Sequence, residues 1–557
     1  MGRFLYFGAL WSALASMVSA KAPLDQKWTE RSIYQVMTDR FARSNSSDDS
    51  SCDPYKYCGG SWVGIVDKLD YIQDLGFTAV QISPVVENIP NNTKYGEAYH
   101  GYWPQNLYAL NEHFGAAEDL KNLADELHKR GMYLMVDVVI NDMAQAVKGS
   151  MDDDHPPEMD WSQLIPFNHE KYYHPACQIR DWNDPEDYQN CWFAVQKVAL
   201  PDLNTEDDRV VRMIQEWVKG LVGNYSIDGL RIDATKHVDD AYLTNFNRAA
   251  GVFTLGEVYS GDTDLVCRYE RFVSGLLNFP IHTPMVKAFT AGEMEGLAEK
   301  VRAVHDDCKD FTRLATFLEN HDIPRFASLV NDTTLAKNAM AFNILSDGIP
   351  VVYQGQEQHM AGNFAPYNRA PLWTTGYNTS GPLYNLTATL NKIRNHAIRM
   401  DRHYVSNHSR ELYLDGSTYV TRKGSDGFQV VSVFSNQGST GGPYKLTLNN
   451  TFSPNTEVLE VLNCSKHKVD NHGRLTIDMD AGEPRVFYPS KKLRDSGLCG
   501  YHKRNTSLST NSTRNNTVNG TSKNTTTDEK SSFGHQAIIP SSAILFCVLF
   551  VTAGWLL

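Results

Sequence analysis

The stretch Asp228-Gly229-Leu230-Arg231-Ile232-Asp233-Ala234-Thr235-Lys236-His237 carries an apolar run that ends in charge. In a strand, residues two apart share a face, so Arg231 and Asp233 point the same way. A guanidinium beside a carboxylate favours the ionised form. An ionised, positioned carboxylate can serve as a nucleophile. A structural ion pair would look the same in isolation.

Two further apolar runs also close on an acid, Leu255-Gly256-Glu257-Val258 and Phe317-Leu318-Glu319-Asn320-His321-Asp322. Eight short apolar runs recur along the chain, at 32–36, 79–83, 133–139, 229–233, 253–258, 276–279, 315–318 and 349–353. Helical periodicity fills most of the gaps. In 117–130 the apolar positions are Leu120, Leu123, Ala124 and Leu127, and 210–222 is a second case. Near-continuous apolar strands alternating with helices predict a parallel sheet, and eight such units predict a closed (β/α)₈ barrel. Asp233, Glu257 and Asp322 then fall at the carboxyl ends of the fourth, fifth and seventh strands, where barrel enzymes carry their chemistry. Three acids on one rim oppose folding, which favours a catalytic reading of all three.

A length of 557 residues accommodates roughly three or four domains. A net charge of −13 argues against nucleic acid as a partner. Arg3, the apolar segment 4–18 and Val18-Ser19-Ala20 read as a secretory signal over 1–20, with a membrane anchor as the rival. Residues 501–536 are rich in Ser, Thr and Asn, with sequons at Asn505, Asn511, Asn515, Asn519 and Asn524. Such a tract reads as a glycosylated stalk. The apolar segment 537–557 follows. Small residues, a polar spacer and an apolar tail form a GPI-anchor signal, and a retained transmembrane helix is the rival. The expected location is the cell surface by way of the secretory pathway, at the plasma membrane and then the cell wall. Eight cysteines precede the tail, Cys52, Cys58, Cys177, Cys191, Cys267, Cys308, Cys464 and Cys499, and Cys547 lies within it. Pairing neighbours along the chain gives 52–58, 177–191, 267–308 and 464–499, one connectivity among many. No interface signal is evident, so monomer is the default.

The order of motifs resembles the α-amylase family of glycoside hydrolases (family 13) across about residues 25–500, especially the secreted fungal α-amylases. The segments that carry this are Tyr57-Cys58-Gly59-Gly60-Ser61-Trp62, Tyr99-His100-Gly101-Tyr102-Trp103, Gly131-Met132-Tyr133-Leu134-Met135-Val136-Asp137-Val138-Val139, Leu200-Pro201-Asp202-Leu203, Gly256-Glu257-Val258 and Glu319-Asn320-His321-Asp322. With its tail, the chain is similar to the GPI-anchored fungal branch, which is associated with cell-wall α-glucan and 4-α-glucanotransferase activity. The resemblance implies the same cysteine pairing. It also implies a barrel over 21–402, an inserted domain over 141–203 and a C-terminal β-sandwich over 403–500.

It further implies that α-1,4-glucan or malto-oligosaccharide is cleaved with Asp233 as nucleophile and Glu257 as acid and base. Asp322 would stabilise the transition state. Tyr102, Trp103, His100, Arg231, Lys236, His237, His321 and Arg369 would bind substrate. A calcium ion would be held by Asn141, Gln189, Asp202 and the carbonyl of His237.

Three positions depart from the family pattern. Asp142 replaces a histidine, Gln189 a calcium-binding glutamate, and Ala365 a donor-binding aspartate. These predict weaker calcium binding, with Asp142 restoring charge to the site, and a looser donor grip. The function expected is retaining cleavage of internal bonds with transfer to a second glucan. A 4-α-glucanotransferase with little hydrolysis and a non-catalytic glucan-binding wall protein are the alternatives.

Overall fold

A computed structural model describes residues 24–45, 51–148 and 157–502. The signal over 1–20, the five stalk sequons, Cys547 and the tail over 537–557 lie outside the described residues. Among the described residues no helix is long and apolar enough to cross a membrane.

Eight parallel strands close a barrel: β1 (Ile33–Val36), β2 (Ala79–Ile82), β3 (Tyr133–Val138), β4 (Gly229–Ile232), β5 (Phe253–Gly256), β6 (Gly275–Leu277), β7 (Leu314–Phe317) and β8 (Ile349–Tyr353). Each pairs with its sequence neighbour, and β8 closes on β1. These are the eight runs found in the sequence. The sixth stops early at Leu277, because Phe279 already opens the helix Phe279–Thr290, with a proline in its first turn.

Every second strand residue faces the barrel axis. Ile33, Ala79, Met135, Leu255, Phe317 and Val351 fill the interior. Trp28 plugs the amino end, with its ring 5.4 Å from Phe253 and 5.3 Å from Tyr133. Gly229 opens β4 at that plug. A Cβ there would lie 2.7 Å from the Trp28 ring, so close approach requires glycine. Outside the barrel, the helix Ala117–Lys129 buries Leu120, Leu123, Ala124 and Leu127. The helix Asp208–Tyr225 is capped by the Asp207 carboxylate, which accepts from the Arg209 N–H.

Between β3 and that second helix, a small three-stranded antiparallel sheet forms from Gln145–Ala146, Ala194–Gln196 and Val198–Leu200. After the helix Pro382–Met400, a six-stranded and a two-stranded antiparallel sheet share a core that includes Val431, Val433, Leu446, Leu448, Ile477 and Phe487. Four disulfides form, Cys52–Cys58, Cys177–Cys191, Cys267–Cys308 and Cys464–Cys499.

Candidate active site

Parallel register places Arg231 of β4 beside Asp137 of β3 and Leu255 of β5. The ladder runs one residue past each strand. Asp233 donates its N–H to the Val138 carbonyl at 2.9 Å, and Glu257 donates to Ile232 at 3.0 Å. Both acids therefore leave the strands in a fixed direction at the carboxyl rim.

Arg231 is buried and divides its charge. Its Nη1 donates to Asp137 Oδ1 at 2.9 Å and to Asp233 Oδ1 at 2.6 Å. Its Nη2 lies 2.6 Å from Glu257 Oε1, an ion pair that lacks hydrogen-bond alignment. The other Glu257 oxygen accepts from the Ala234 N–H at 3.1 Å, and the Thr235 hydroxyl accepts from the Glu257 N–H at 2.9 Å. The sequence reading gave Arg231 one partner to keep ionised, and the structure gives it three. One guanidinium does not neutralise three carboxylates. Burial first, then the charges of Glu257, Asp137 and Asp322, push the Asp233 carboxyl up against the pull of Arg231. Asp233 therefore titrates as part of the carboxylate cluster, not alone.

Asp322 sits beyond β7 in a loop tied at both ends. Asn320 Oδ1 accepts from the Asp322 N–H at 2.8 Å, and buried Glu319 pairs with Arg325 at 3.1 Å. His321 Nε2 lies 2.9 Å from one Asp322 oxygen, and Arg369 Nη2 donates to the other at 3.1 Å. Burial pushes this carboxyl up, but His321 and then Arg369 hold it well below the usual carboxylate range. Gln35 Nε2 donates to His321 Nδ1 at 3.2 Å, which leaves the His321 proton on Nε2, facing Asp322.

Tyr102 stacks on His321 at 4.8 Å and donates its hydroxyl to Asp137 at 2.8 Å. His100 Nδ1 accepts from the Tyr102 N–H at 3.0 Å. Burial, followed by Arg369 and His321, depresses the His100 ring, so it is neutral and carries its proton on Nε2. These five residues and the three acids come together.

The remaining expected substrate residues sit differently. Trp103 packs in a satellite core with Ile89, Ala144 and Val198, although its ring meets His100 edge-on at 4.5 Å. Lys236 and His237 are buried against the inserted segment. Lys236 Nζ reaches the Trp182 carbonyl at 3.4 Å, and His237 Nδ1 lies 2.8 Å from the Tyr188 carbonyl. Burial lowers Lys236 and drives His237 down to about 3, so His237 is neutral.

The expected calcium donors are two amides, one carboxylate and a carbonyl. Among the described residues no group of three or more His, Cys, Asp or Glu side chains is placed to hold a metal ion. Asn141 Oδ1 and Asp142 Oδ1 are buried without hydrogen-bond partners, as cation ligands would be. Asn141 Nδ2 donates to the other Asp142 oxygen at 3.1 Å. Asp202 Oδ2 is engaged by His174 Nδ1 at 2.7 Å, and His174 Nε2 lies 3.0 Å from Glu206. Burial pulls His174 down, yet the hydrogen bonds to Asp202 and Glu206 outweigh it and raise the ring to about 9.

Gln189 faces the same segment as the expected His237 carbonyl ligand. Its Nε2 donates to the carbonyls of Lys236 at 3.0 Å and Val238 at 3.1 Å. An amide here hydrogen-bonds carbonyls on either side of His237, whereas a glutamate would need a cation between itself and them. Burial, then Asp233 and Asp202, push the Asp142 carboxyl well above the usual range.

Three residues were missed in the sequence. Asp137 is a lone charge inside an apolar run, in phase with inward-facing Met135, and that phase was the available signal. Gln35 and Thr235 act through contacts that exist only once the barrel closes.

The chain matches the family description "Alpha amylase, catalytic domain" over residues 35–403 and "Alpha-amylase, domain C" over 411–507. It is 44% identical over 503 residues to "Alpha-amylase 2" of Schwanniomyces occidentalis, covering 88% of this chain and 98% of that protein. A solved α-amylase from Malbranchea cinnamomea is 46% identical, with a TM-score of 0.81, over 85% of this chain and 99% of the other. The structure of CldA, described as a cyclomaltodextrin glucanotransferase with a three-domain ABC distribution, is 26% identical with a TM-score of 0.69, over 82% and 98%.

Proposed function

The chain belongs to the α-amylase family of glycoside hydrolases, and from that premise we propose that it cleaves internal α-1,4-glucosidic bonds with retention and passes part of the cleaved chain to a second glucan. The observation that carries this is the Arg231 guanidinium set against both Asp233 and Glu257. One fork touching both acids supports the close spacing of a retaining pair, about 5–5.5 Å, over the wider spacing of about 6.5–9.5 Å that an inverting pair needs for its water.

Asp233 attacks the anomeric carbon as Glu257 protonates the leaving oxygen. Glu257 then takes a proton from the incoming water or sugar hydroxyl. Asp322, held ionised, stabilises positive charge on the ring, and neutral His100 donates to a sugar hydroxyl.

Calcium, when bound, would tie the inserted segment to the barrel. Asn141, Asp142 and Asp202 are its oxygen donors in this reading, with the His237 carbonyl, while Gln189 cross-links the same parts by hydrogen bonds. The proposed binding is weaker than in a site with a glutamate at that position. Four disulfides support passage through an oxidising secretory compartment. The composition of 501–557 supports surface attachment through a GPI anchor near α-glucan of the cell wall.

Incubation with maltoheptaose tests the reaction. Products longer than the substrate support transfer, and only shorter products remove it. A 4-α-glucanotransferase with little hydrolysis is the second reading, favoured by the loss at Ala365 and by the likeness to CldA. Equal turnover by the wild type and Glu257→Gln would instead favour a glucan-binding wall protein.

A further inference from the structure

Three large aromatic side chains stand in solvent at one edge of the site. Phe364 is 71% exposed, Tyr367 60% and Tyr55 45%. Isolated exposed rings need no explanation, but contiguous ones mark binding surfaces. Phe364 and Tyr367 are the two ends of one tight turn, in which Tyr367 donates its N–H to the Phe364 carbonyl at 2.7 Å. The Tyr55 and Tyr367 side chains are neighbours and interact. Tyr55 is itself held from behind, since Glu97 donates its N–H to the Tyr55 carbonyl at 2.8 Å.

The turn runs without a break into the catalytic loop. Asn368 Nδ2 donates to the carbonyls of His321 at 2.9 Å and Ile323 at 3.0 Å. Arg369 reaches both Asp322 and Tyr99. Arg369 also donates its N–H to the Pro366 carbonyl at 3.0 Å, so one short turn carries Tyr367 together with the arginine that holds Asp322. Residues 364–367 read Phe-Ala-Pro-Tyr and carry no charge. A surface that is aromatic, uncharged and hydroxyl-tipped suits a ligand with apolar C–H faces and neutral hydroxyl edges, which is a pyranose.

We propose that Tyr55, Phe364 and Tyr367 form a stacking subsite for glucose units of the donor α-glucan that lie beyond those touching Asp322 and Arg369. It supplies by apolar contact the grip lost at Ala365. The inference rests on the α-glucan reading above and extends it to chain-length selection, favouring longer donors.

Two measurements test it. The first compares steady-state kinetics of the wild type and the double variant Phe364→Ala, Tyr367→Ala on maltoheptaose and on maltotriose. KM for maltoheptaose is expected to rise roughly three- to tenfold, with a smaller change for maltotriose. Equal effects on both sugars, or none on maltoheptaose, would overturn the subsite. Tyr367→Phe, which keeps the ring, should retain most of the affinity, and a loss equal to that of Tyr367→Ala would assign the effect to loop structure instead.

The second titrates maltoheptaose calorimetrically into Glu257→Gln with and without the double substitution. A weaker Kd in the triple variant supports the stacking subsite even if the wild type turns nothing over, in which case the catalytic reading falls alone. An unchanged Kd removes the subsite even if catalysis stands.

Discussion

The two ends of the barrel are built from the same strands to opposite ends. At the amino end, inward positions are apolar, and Trp28, Ile33, Ala79 and Phe253 close the interior without a charge. Two residues further along β1, β2, β3 and β4, the inward positions become Gln35, Gln81, Asp137 and Arg231, all buried. There Arg231 Nε, Glu257 Oε1, Asn141 Oδ1 and Asp142 Oδ1 have no hydrogen-bond partner. Unsatisfied buried polar atoms each cost about 1–3 kcal/mol. The apolar end holds the fold, and the charged end is tolerated because of it.

Removing the proposed nucleophile should sharpen that contrast most. Asp233→Asn is expected to lower kcat about 10⁴-fold on maltoheptaose while leaving Tm equal or higher, because it relieves carboxylate crowding. A fall of several degrees would mean that the charged end contributes to stability after all. Trp28→Ala should do the reverse. It opens a cavity at the plug and is expected to cost about 3–5 kcal/mol in chemical denaturation, with kcat close to that of the wild type at low temperature.

Gln189→Glu tests the junction beside the site. In EDTA it should destabilise by roughly 1–3 kcal/mol, because two carbonyls lose their donor. With calcium added the order should invert, with the variant gaining more in Tm than the wild type. No calcium response in either protein would remove calcium from the description.

The smallest effect expected is that of Asp142→Asn, measured in EDTA. A carboxyl whose pKa is raised by folding lowers stability above its unfolded value of about 3.9 and not below it. The variant should therefore be more stable at pH 7, and the gain should vanish as pH falls towards 4. A gain that persists at pH 4 would show packing, not charge, to be the cause.

The strands, the helices between them and the positions of the three acids were legible because each depends on local periodicity. Arg231 beside Asp233 was legible for the same reason, being two residues apart on one strand. Its bonds to Asp137 and its contact with Glu257 were not, since they require β3, β4 and β5 to lie side by side. Gln189 shows the other limit. Its residue type suggested a poorer ligand, but only the folded neighbourhood shows that its nitrogen donates to the Lys236 and Val238 carbonyls. Trp103 was legible as an aromatic by its place in Gly101-Tyr102-Trp103, but its packing against Ile89 and Val198, beside His100, was not.

The four disulfides close sequence separations of 6, 14, 41 and 35 residues. Their loops are neither nested nor interlocked, so each cysteine bonds the next one to emerge from the ribosome. A chain wired in this order can oxidise during translocation, one loop at a time, with no earlier thiol waiting for a later partner. Its maturation should then depend little on disulfide reshuffling, and refolding from the reduced state should be slower than first synthesis mainly because that order of arrival is lost.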